Sequence, residues 1–212
     1  MATVELDAWG WYPIGRGQVR ATIAGTGKGM GLLAPLDCTE RGGLRRVAGR
    51  AVAANLPAHI SQRMSDRARA LLEPLGAEIA IGAERVRSAS PGAGIFLVAE
   101  YDSIRCGFCA LGAVGKPSEL VAEEAVNLLL KHHASGAALE SHLGDQVLLP
   151  LSLAGAPSTF SVEEVTLHLQ TNAWVIEQFG LARTTFAEAA AGSAVVTVTP
   201  AGIQCRNGAI GA

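Results

Sequence analysis

The 212-residue sequence has few aromatic residues and no long hydrophobic run. Aromatic side chains make up 5% of the chain, so we expect aliphatic side chains and alanine to build the core. No apolar stretch approaches the roughly 20 residues that a membrane-spanning helix needs. The N-terminal residues MATVELDAW lack the basic and apolar regions of a signal peptide. We therefore expect no membrane partner and a cytoplasmic location.

Lysine is also scarce, which leaves arginine as the main cation. Lys28, Lys116 and Lys131 are the only lysines, and the net charge is -2. This balance argues against a generally basic nucleic-acid binder. Arginines cluster in residues 41–50 and again in residues 63–69. Such runs are usually solvated faces, although guanidinium groups also suit phosphate better than lysine does.

Two familiar binding motifs are incomplete. Cys106 and Cys109 form a C-G-F-C pair, but no second pair of cysteines or histidines accompanies them. They lie in a predicted strand, where positions i and i+3 face opposite sides, so one ion could not bind both. We expect structural thiols and no metal site. The stretch GTGKGMG at 25–31 lacks the P-loop spacing and has no Ser or Thr after Lys28, so it predicts a flexible loop.

Hydrophobic periodicity predicts a mixed chain of helices and strands. Amphipathic helices are predicted over 57–76, ended by Pro74 and Gly76, and over 118–136. The predicted strands cover residues 18–23, 31–43, 44–56, 78–86, 94–112, 183–189 and 194–200. Residues 204–212 predict a frayed tail.

The stretch HLGDQ groups polar side chains within an otherwise apolar segment. His142, Asp145 and Gln146 are spaced i, i+3 and i+4, so they share one sector of a predicted helix. Buried polar groups must find partners. These side chains either satisfy the backbone of a neighbouring element or line a pocket, and the residues alone leave both interpretations open.

The stretch TLHLQTN places His168 between two leucines. Alternation of apolar and polar residues predicts a strand over 164–170, followed by a helix capped by Thr171. A competing interpretation starts the helix near Thr166. In both cases His168 lies near a helix N-terminus, where free backbone N–H groups favour anions. The pattern alone favours a core histidine over a nucleophile.

Three stretches in order carry a resemblance to a known family: GWYPIGRGQV at 10–19 (the signature loop), HLGDQVLLPLSLAGA at 142–156 and VTLHLQTN at 165–172. Together they resemble the RNA 3'-terminal phosphate cyclase family. The resemblance implies an α/β fold of the α+β type, with repeated β-α-β units of the cyclase and enolpyruvyl-transferase-like architecture. It implies a partial cyclase core at 1–42 and 134–212 and an inserted α/β domain at 43–133.

The resemblance implies an ATP-dependent ligase that converts RNA 3'-phosphate ends to 2',3'-cyclic phosphates. His168 matches the nucleophile that becomes histidyl-AMP, and Mg²⁺ or Mn²⁺ would accompany ATP. A neutral imidazole is available at cell pH because the ordinary pKa of histidine is about 6.5. The resemblance assigns the adenylate pocket to His142, Leu143, Gly144, Asp145 and Gln146, with the His142 ring stacked on adenine.

The sequence departs from the family pattern in the signature loop. Trp9 stands where arginine or histidine is usual, and Arg16 replaces the middle of three glycines. We expect a negative φ at Arg16, since only glycine adopts positive φ freely. Arg16 then either changes the loop geometry or offers a phosphate contact.

The sequence also starts close to the signature loop. We therefore expect a homo-oligomer, or a separate N-terminal half, to complete the nucleotide site. Two other functions compete with cyclisation: a non-catalytic cyclase-like scaffold in RNA processing or ribosome assembly, and enolpyruvyl or carbohydrate transfer by a related fold. His168, Asp145 and Gln146 together favour the cyclase, because nothing structural in the sequence requires all three.

Overall fold

The computed structural model describes residues 2–24, 33–189 and 192–202. The chain divides into two compact units, residues 1–29 with 42–133 and residues 30–41 with 134–212. The loop predicted at 25–31 and the tail predicted at 204–212 lie outside the described residues. Both units mix helices with sheets, which confirms the predicted α/β class of the α+β type. No helix in the described ranges is long and apolar enough to cross a membrane.

The first unit is built on a four-stranded sheet backed by two long helices. The strands are β4 (Leu44–Ala54), β5 (Glu78–Val86), β6 (Gly92–Tyr101) and β7 (Arg105–Leu111), and the helices are α1 (Ala58–Leu72) and α2 (Ser118–Ser135). The sheet order is β5-β4-β6-β7, with β4 and β5 parallel and the other neighbours antiparallel. In α1 the buried residues recur at helical spacing from Ser61 to Leu72, so one face of the helix covers the sheet.

The side chains of β7 alternate strictly between the two faces of the sheet, which places the thiols of Cys106 and Cys109 on opposite faces. Cys106 is buried and Cys109 is exposed, because odd-numbered and even-numbered residues of this strand face opposite sides. The prediction that one ion could not bind both is confirmed.

The signature loop packs onto the first unit beside a hairpin of β1 (Ala2–Ala8) and β2 (Gln18–Ile23). The Trp9 ring stacks on Trp11 at 6.0 Å between centroids. A Cβ built on Gly92 would lie 2.2 Å from Cδ2 of Trp11, so only glycine fits under this indole. Arg16 has a φ of +59°, so the expectation of a negative φ is wrong. The loop holds a non-glycine residue in the left-handed region, at a cost of about 1–2 kcal/mol.

The second unit has a four-stranded sheet of β3 (Asp37–Cys38), β8 (Ser158–Val162), β9 (Ala182–Glu188) and β10 (Ala194–Pro200). The strand order is β3-β8-β10-β9. The strand predicted over 31–43 is therefore reduced to the two residues of β3. Three helices cover it: α3 (Ser141–Gln146), α4 (Leu148–Leu151) and α5 (Leu167–Gln178). The largest fully buried side chains of this unit include Leu139, Leu148 and Leu169 together with the aromatic Phe160, so most of its core is aliphatic.

Candidate functional site

Helix α5 begins one residue before His168. Thr166 has extended backbone angles (φ -70°, ψ 161°), and its hydroxyl accepts the N–H of Leu169 at 3.1 Å. This is an N-cap, so the helix starts at Leu167. The strand predicted over 164–170 is therefore wrong, as is the cap at Thr171, and the competing start near Thr166 is confirmed.

The first turn of α5 separates the two leucines that flank His168. Leu169 is fully buried, whereas Leu167 and His168 are exposed. The prediction of a core histidine, which the pattern favoured, is therefore wrong, because the imidazole reaches solvent. The first N–H groups of a helix have no intrahelical acceptor and carry partial positive charge, so His168 stands where an anion is favoured.

Close packing sets the position of α3 next to α5. Gly144 is buried, and a Cβ built on it would lie 2.9 Å from Cγ2 of Val162 and 3.7 Å from Cδ2 of Leu169. The absence of a side chain therefore lets α3 approach both β8 and α5. Because Leu169 follows His168 directly, this contact ties the helix of the HLGDQ stretch to the start of α5.

A hydrogen bond joins the polar faces of the same two helices. The amide of Asn172 donates to Oδ2 of Asp145 at 3.3 Å. Asn172 lies four residues after His168, so the two side chains share one face of α5. The structure thus brings Asp145 next to the face of α5 that carries His168. The sequence analysis missed Asn172, although its i+4 spacing from His168 was the available signal.

His142 is oriented by a residue that the sequence analysis also missed. Glu140 is the N-cap of α3, and its carboxylate accepts the backbone N–H of His142 at 2.9 Å and faces Nδ1 of His142 at 3.0 Å. The His142 side chain is 81% exposed, so one face of the ring is open to a ligand. Leu143 and Asp145 are half-buried and Gln146 is exposed.

The second unit is acidic. Residues 30–41 and 134–212 contain three arginines, no lysine and eight carboxylates, which gives a formal charge of -5. In the part that the structure describes, Arg41 is buried and donates to the carbonyl of Ala137 at 3.1 Å, and Arg183 is exposed. No group of three metal-binding side chains occurs among the described residues. Arg183 is thus the exposed arginine among the described residues of this unit.

Comparison with known proteins shows which family the chain resembles. Residues 39–134 match the family model of the RNA 3'-terminal phosphate cyclase insert domain. The RNA 3'-terminal phosphate cyclase of Methylococcus capsulatus is 50% identical over 204 residues, which cover 95% of this chain and 56% of the relative. That of Trichormus variabilis is 48% identical over 188 residues, covering 89% of this chain and 53% of the relative.

A more distant relative gives the same result. The RNA 3'-terminal phosphate cyclase of Pyrococcus abyssi is 36% identical over 179 residues, covering 84% of this chain and 51% of the relative. The chain belongs to the RNA 3'-terminal phosphate cyclase family, which confirms the resemblance, and it spans about half the length of these curated relatives.

Proposed function

We propose that this chain carries the nucleophile and part of the adenylate pocket of an ATP-dependent RNA 3'-terminal phosphate cyclase. The observation that carries the proposal is the exposed imidazole of His168 in the capped first turn of α5. Its helix face continues to Asn172, which contacts Asp145 of the HLGDQ stretch.

The reaction would proceed in three displacements at phosphorus. The neutral His168 ring attacks the α-phosphate of ATP, so that a P–N bond forms and pyrophosphate leaves. An oxygen of the RNA 3'-phosphate then takes over the adenylyl group, and the P–N bond breaks. Finally the adjacent 2'-hydroxyl attacks the RNA phosphorus, loses its proton to a base or water, and AMP leaves with the former bridging oxygen. The covalent intermediate divides one difficult step into easier ones.

The residues of the HLGDQ stretch would hold the adenosine end of the nucleotide. The 81% exposed His142 ring offers a face for stacking on adenine, and Asp145 and Gln146 offer polar atoms for its edge. Gly144 is buried, so we assign it the packing of α3, with Leu143 half-buried beside it. Because this unit has a charge of -5, Mg²⁺ or Mn²⁺ bound to ATP would supply positive charge at the phosphates.

The proposed domain division follows from the same family. We assign residues 43–133 to the insert domain, and residues 1–42 with 134–212 to part of the cyclase core. The match of residues 39–134 to the insert-domain model supports this assignment.

The test is covalent labelling by ATP radioactive at the α-phosphate, with Mg²⁺ or Mn²⁺. We expect label on the wild-type chain, none on His168→Ala, and unchanged label on His59→Ala, because His59 is an exposed histidine of the other unit. Label that persists in His168→Ala contradicts the assignment of the nucleophile. If no label forms, even with the remaining length of a relative added as a second polypeptide, the scaffold function is favoured.

A further inference from the structure

One end of the first unit collects arginines that lack an acidic partner. Among the described residues, Arg16, Arg85 and Arg87 form no ion pair, and all three are exposed. Most other arginines of this unit form ion pairs: Arg50 bonds Glu84 at 2.8 Å, for example. Arg69 has no ion pair among the described residues either, but its guanidinium group donates to the carbonyl of Ile81. Arg16, Arg85 and Arg87 lie on two segments that meet at Ser88 and Ser90, the signature loop and the end of β5.

A polar cavity separates two of these arginines from the turn after β4. It has a volume of about 480 Å³ and is lined by Asn55, Arg85, Val86, Arg87 and Ser88. The Asn55 side chain donates to the carbonyl of Ser88 at 2.7 Å, which fixes one wall. Arg85 and Arg87 are two residues apart at the end of a strand, so their side chains leave the same face.

A second, mostly apolar cavity begins at the residue after Asn55. Its volume is about 620 Å³, and the signature-loop residues Trp11 and Tyr12 line it together with Leu56 and Pro91. The consecutive residues Asn55 and Leu56 therefore line one cavity each. Tyr12 is 92% exposed, so its ring is available to a ligand.

The signature loop is fastened at this place. The N–H of Ile14 donates to the hydroxyl of Ser90 at 3.1 Å, and Trp9 pairs with Ser88 in an isolated bridge. These contacts hold the loop that carries Arg16 next to the wall of the arginine cavity. Strained backbone of the kind found at Arg16 concentrates at ligand-binding sites.

We infer that this surface of the first unit binds single-stranded RNA. Guanidinium groups without a carboxylate partner recognise phosphates by bidentate hydrogen bonds. Arg85 donates from Nε to the carbonyl of Leu56 at 3.0 Å, which leaves its two terminal nitrogens for a phosphate. Exposed aromatic rings stack on unpaired bases, which a duplex would keep inside its own stack. A free inorganic anion would use the arginines but leave Tyr12 and the apolar cavity without a role. The choice of RNA over single-stranded DNA rests on the proposed function; the surface chemistry itself does not depend on His168.

The experiment measures binding of a fluorescent oligoribonucleotide of about ten residues, ending in a 3'-hydroxyl, by anisotropy without ATP. Tyr12→Ala is expected to weaken binding roughly 5- to 150-fold, the equivalent of one lost base stack, and Tyr12→Phe to retain it. Arg85→Ala with Arg87→Ala is expected to reduce the slope of log affinity against log salt by about 1.4, since each phosphate contact on a single strand contributes about 0.7.

The matched control is Arg63→Ala with Arg67→Ala. This double variant removes the same formal charge, but at guanidinium groups that already bond Glu119 and Glu123. We expect it to leave the salt slope unchanged. Circular dichroism of every variant confirms that it is folded.

Three outcomes overturn the inference: equal effects of both arginine pairs, full binding by Tyr12→Ala, or a Tyr12 dependence seen with free AMP and not with the oligonucleotide. The last result would identify a mononucleotide site instead. Because the assay contains no ATP, it is independent of labelling at His168. RNA binding without labelling supports this inference and contradicts the proposed function. Labelling without this RNA binding supports the proposed function and contradicts this inference.

Discussion

Adding one methyl group at Gly144 should separate the two helices of the candidate site. In Gly144→Ala the new Cβ would lie 2.9 Å from Cγ2 of Val162, closer than carbon atoms pack. Val162 is fully buried in β8, and its branched side chain has few alternative rotamers. The strain should therefore move α3 rather than Val162. A displaced α3 loses the 3.3 Å hydrogen bond between Asp145 and Asn172.

Two opposing terms set the magnitude. Inserting a methyl group into a packed contact costs about 1–3 kcal/mol. Alanine in place of glycine inside a helix returns up to about 1 kcal/mol. The net destabilisation of the second unit should then be about 1 kcal/mol, which corresponds to roughly fivefold faster amide exchange in a unit that opens as a whole. If helix propensity alone decided the outcome, Gly144→Ala would stabilise the unit instead of destabilising it.

The assay is hydrogen exchange of peptides from α3 and α5, combined with a double-mutant cycle. Val162→Ala should also destabilise, but it removes the obstructing methyl, so the double variant should be about 1 kcal/mol less destabilised than the two single effects predict. Gly82→Ala is the control, because a Cβ there meets nothing within 4 Å. Additive effects within about 0.5 kcal/mol, or a stabilised Gly144→Ala, would refute the packing argument.

Two further predictions concern single carboxylates. Asp145→Ala removes one exposed hydrogen bond to Asn172, so its cost in stability should stay under about 1 kcal/mol while ATP binding by calorimetry weakens; a large fall in the melting temperature with unchanged ATP affinity would make Asp145 structural. In Asp102, a side-chain hydrogen bond from Arg45 and the N–H of Gly43 lower the pKa of the carboxyl group. Because the carboxyl group has a lower pKa in the folded than in the unfolded protein, its charged form stabilises the fold at pH values above the unfolded pKa. That stabilisation is lost as the pH falls through the folded pKa. The melting-temperature difference between wild type and Asp102→Asn should therefore shrink below about pH 4, and a pH-independent difference would contradict this linkage.

Long periodic segments could be predicted from the sequence, and short ones could not. The helix predicted over 57–76 corresponds to α1 (Ala58–Leu72) with a short 3-10 turn, and the strand predicted over 78–86 corresponds to β5 (Glu78–Val86). The strand predicted over 164–170 is wrong because seven residues that alternate between apolar and polar are also compatible with the start of a helix. There the cap at Thr166 and the burial of Leu169, Ala173 and Ile176 on one helix face outweigh alternation.

The i+4 spacing could have placed Asn172 on the same helix face as His168, but the contact between the two helices could not be predicted from the sequence. The link from Asp145 to Asn172 joins residues 27 positions apart, and it depends on the space that Gly144 leaves beside Val162. The positive φ of Arg16 was likewise hidden, because the hydrogen bond from Ile14 to Ser90 helps to hold the loop in a conformation that local preference opposes. Tertiary packing decides both features.

The charges of the two units place different demands on the two proposed ligands. Residues 1–29 and 42–133 contain 14 basic and 11 acidic side chains, whereas the unit with His168 has a charge of -5. If RNA binds the first unit through its arginines, its affinity will fall with monovalent salt. In the proposed reaction, a nucleotide polyphosphate beside His168 would bind a unit with a charge of -5, so the attack would need cations that arrive with ATP or from another polypeptide segment. Adenylylation should thus be limited by divalent cations, and RNA binding by screening of arginine.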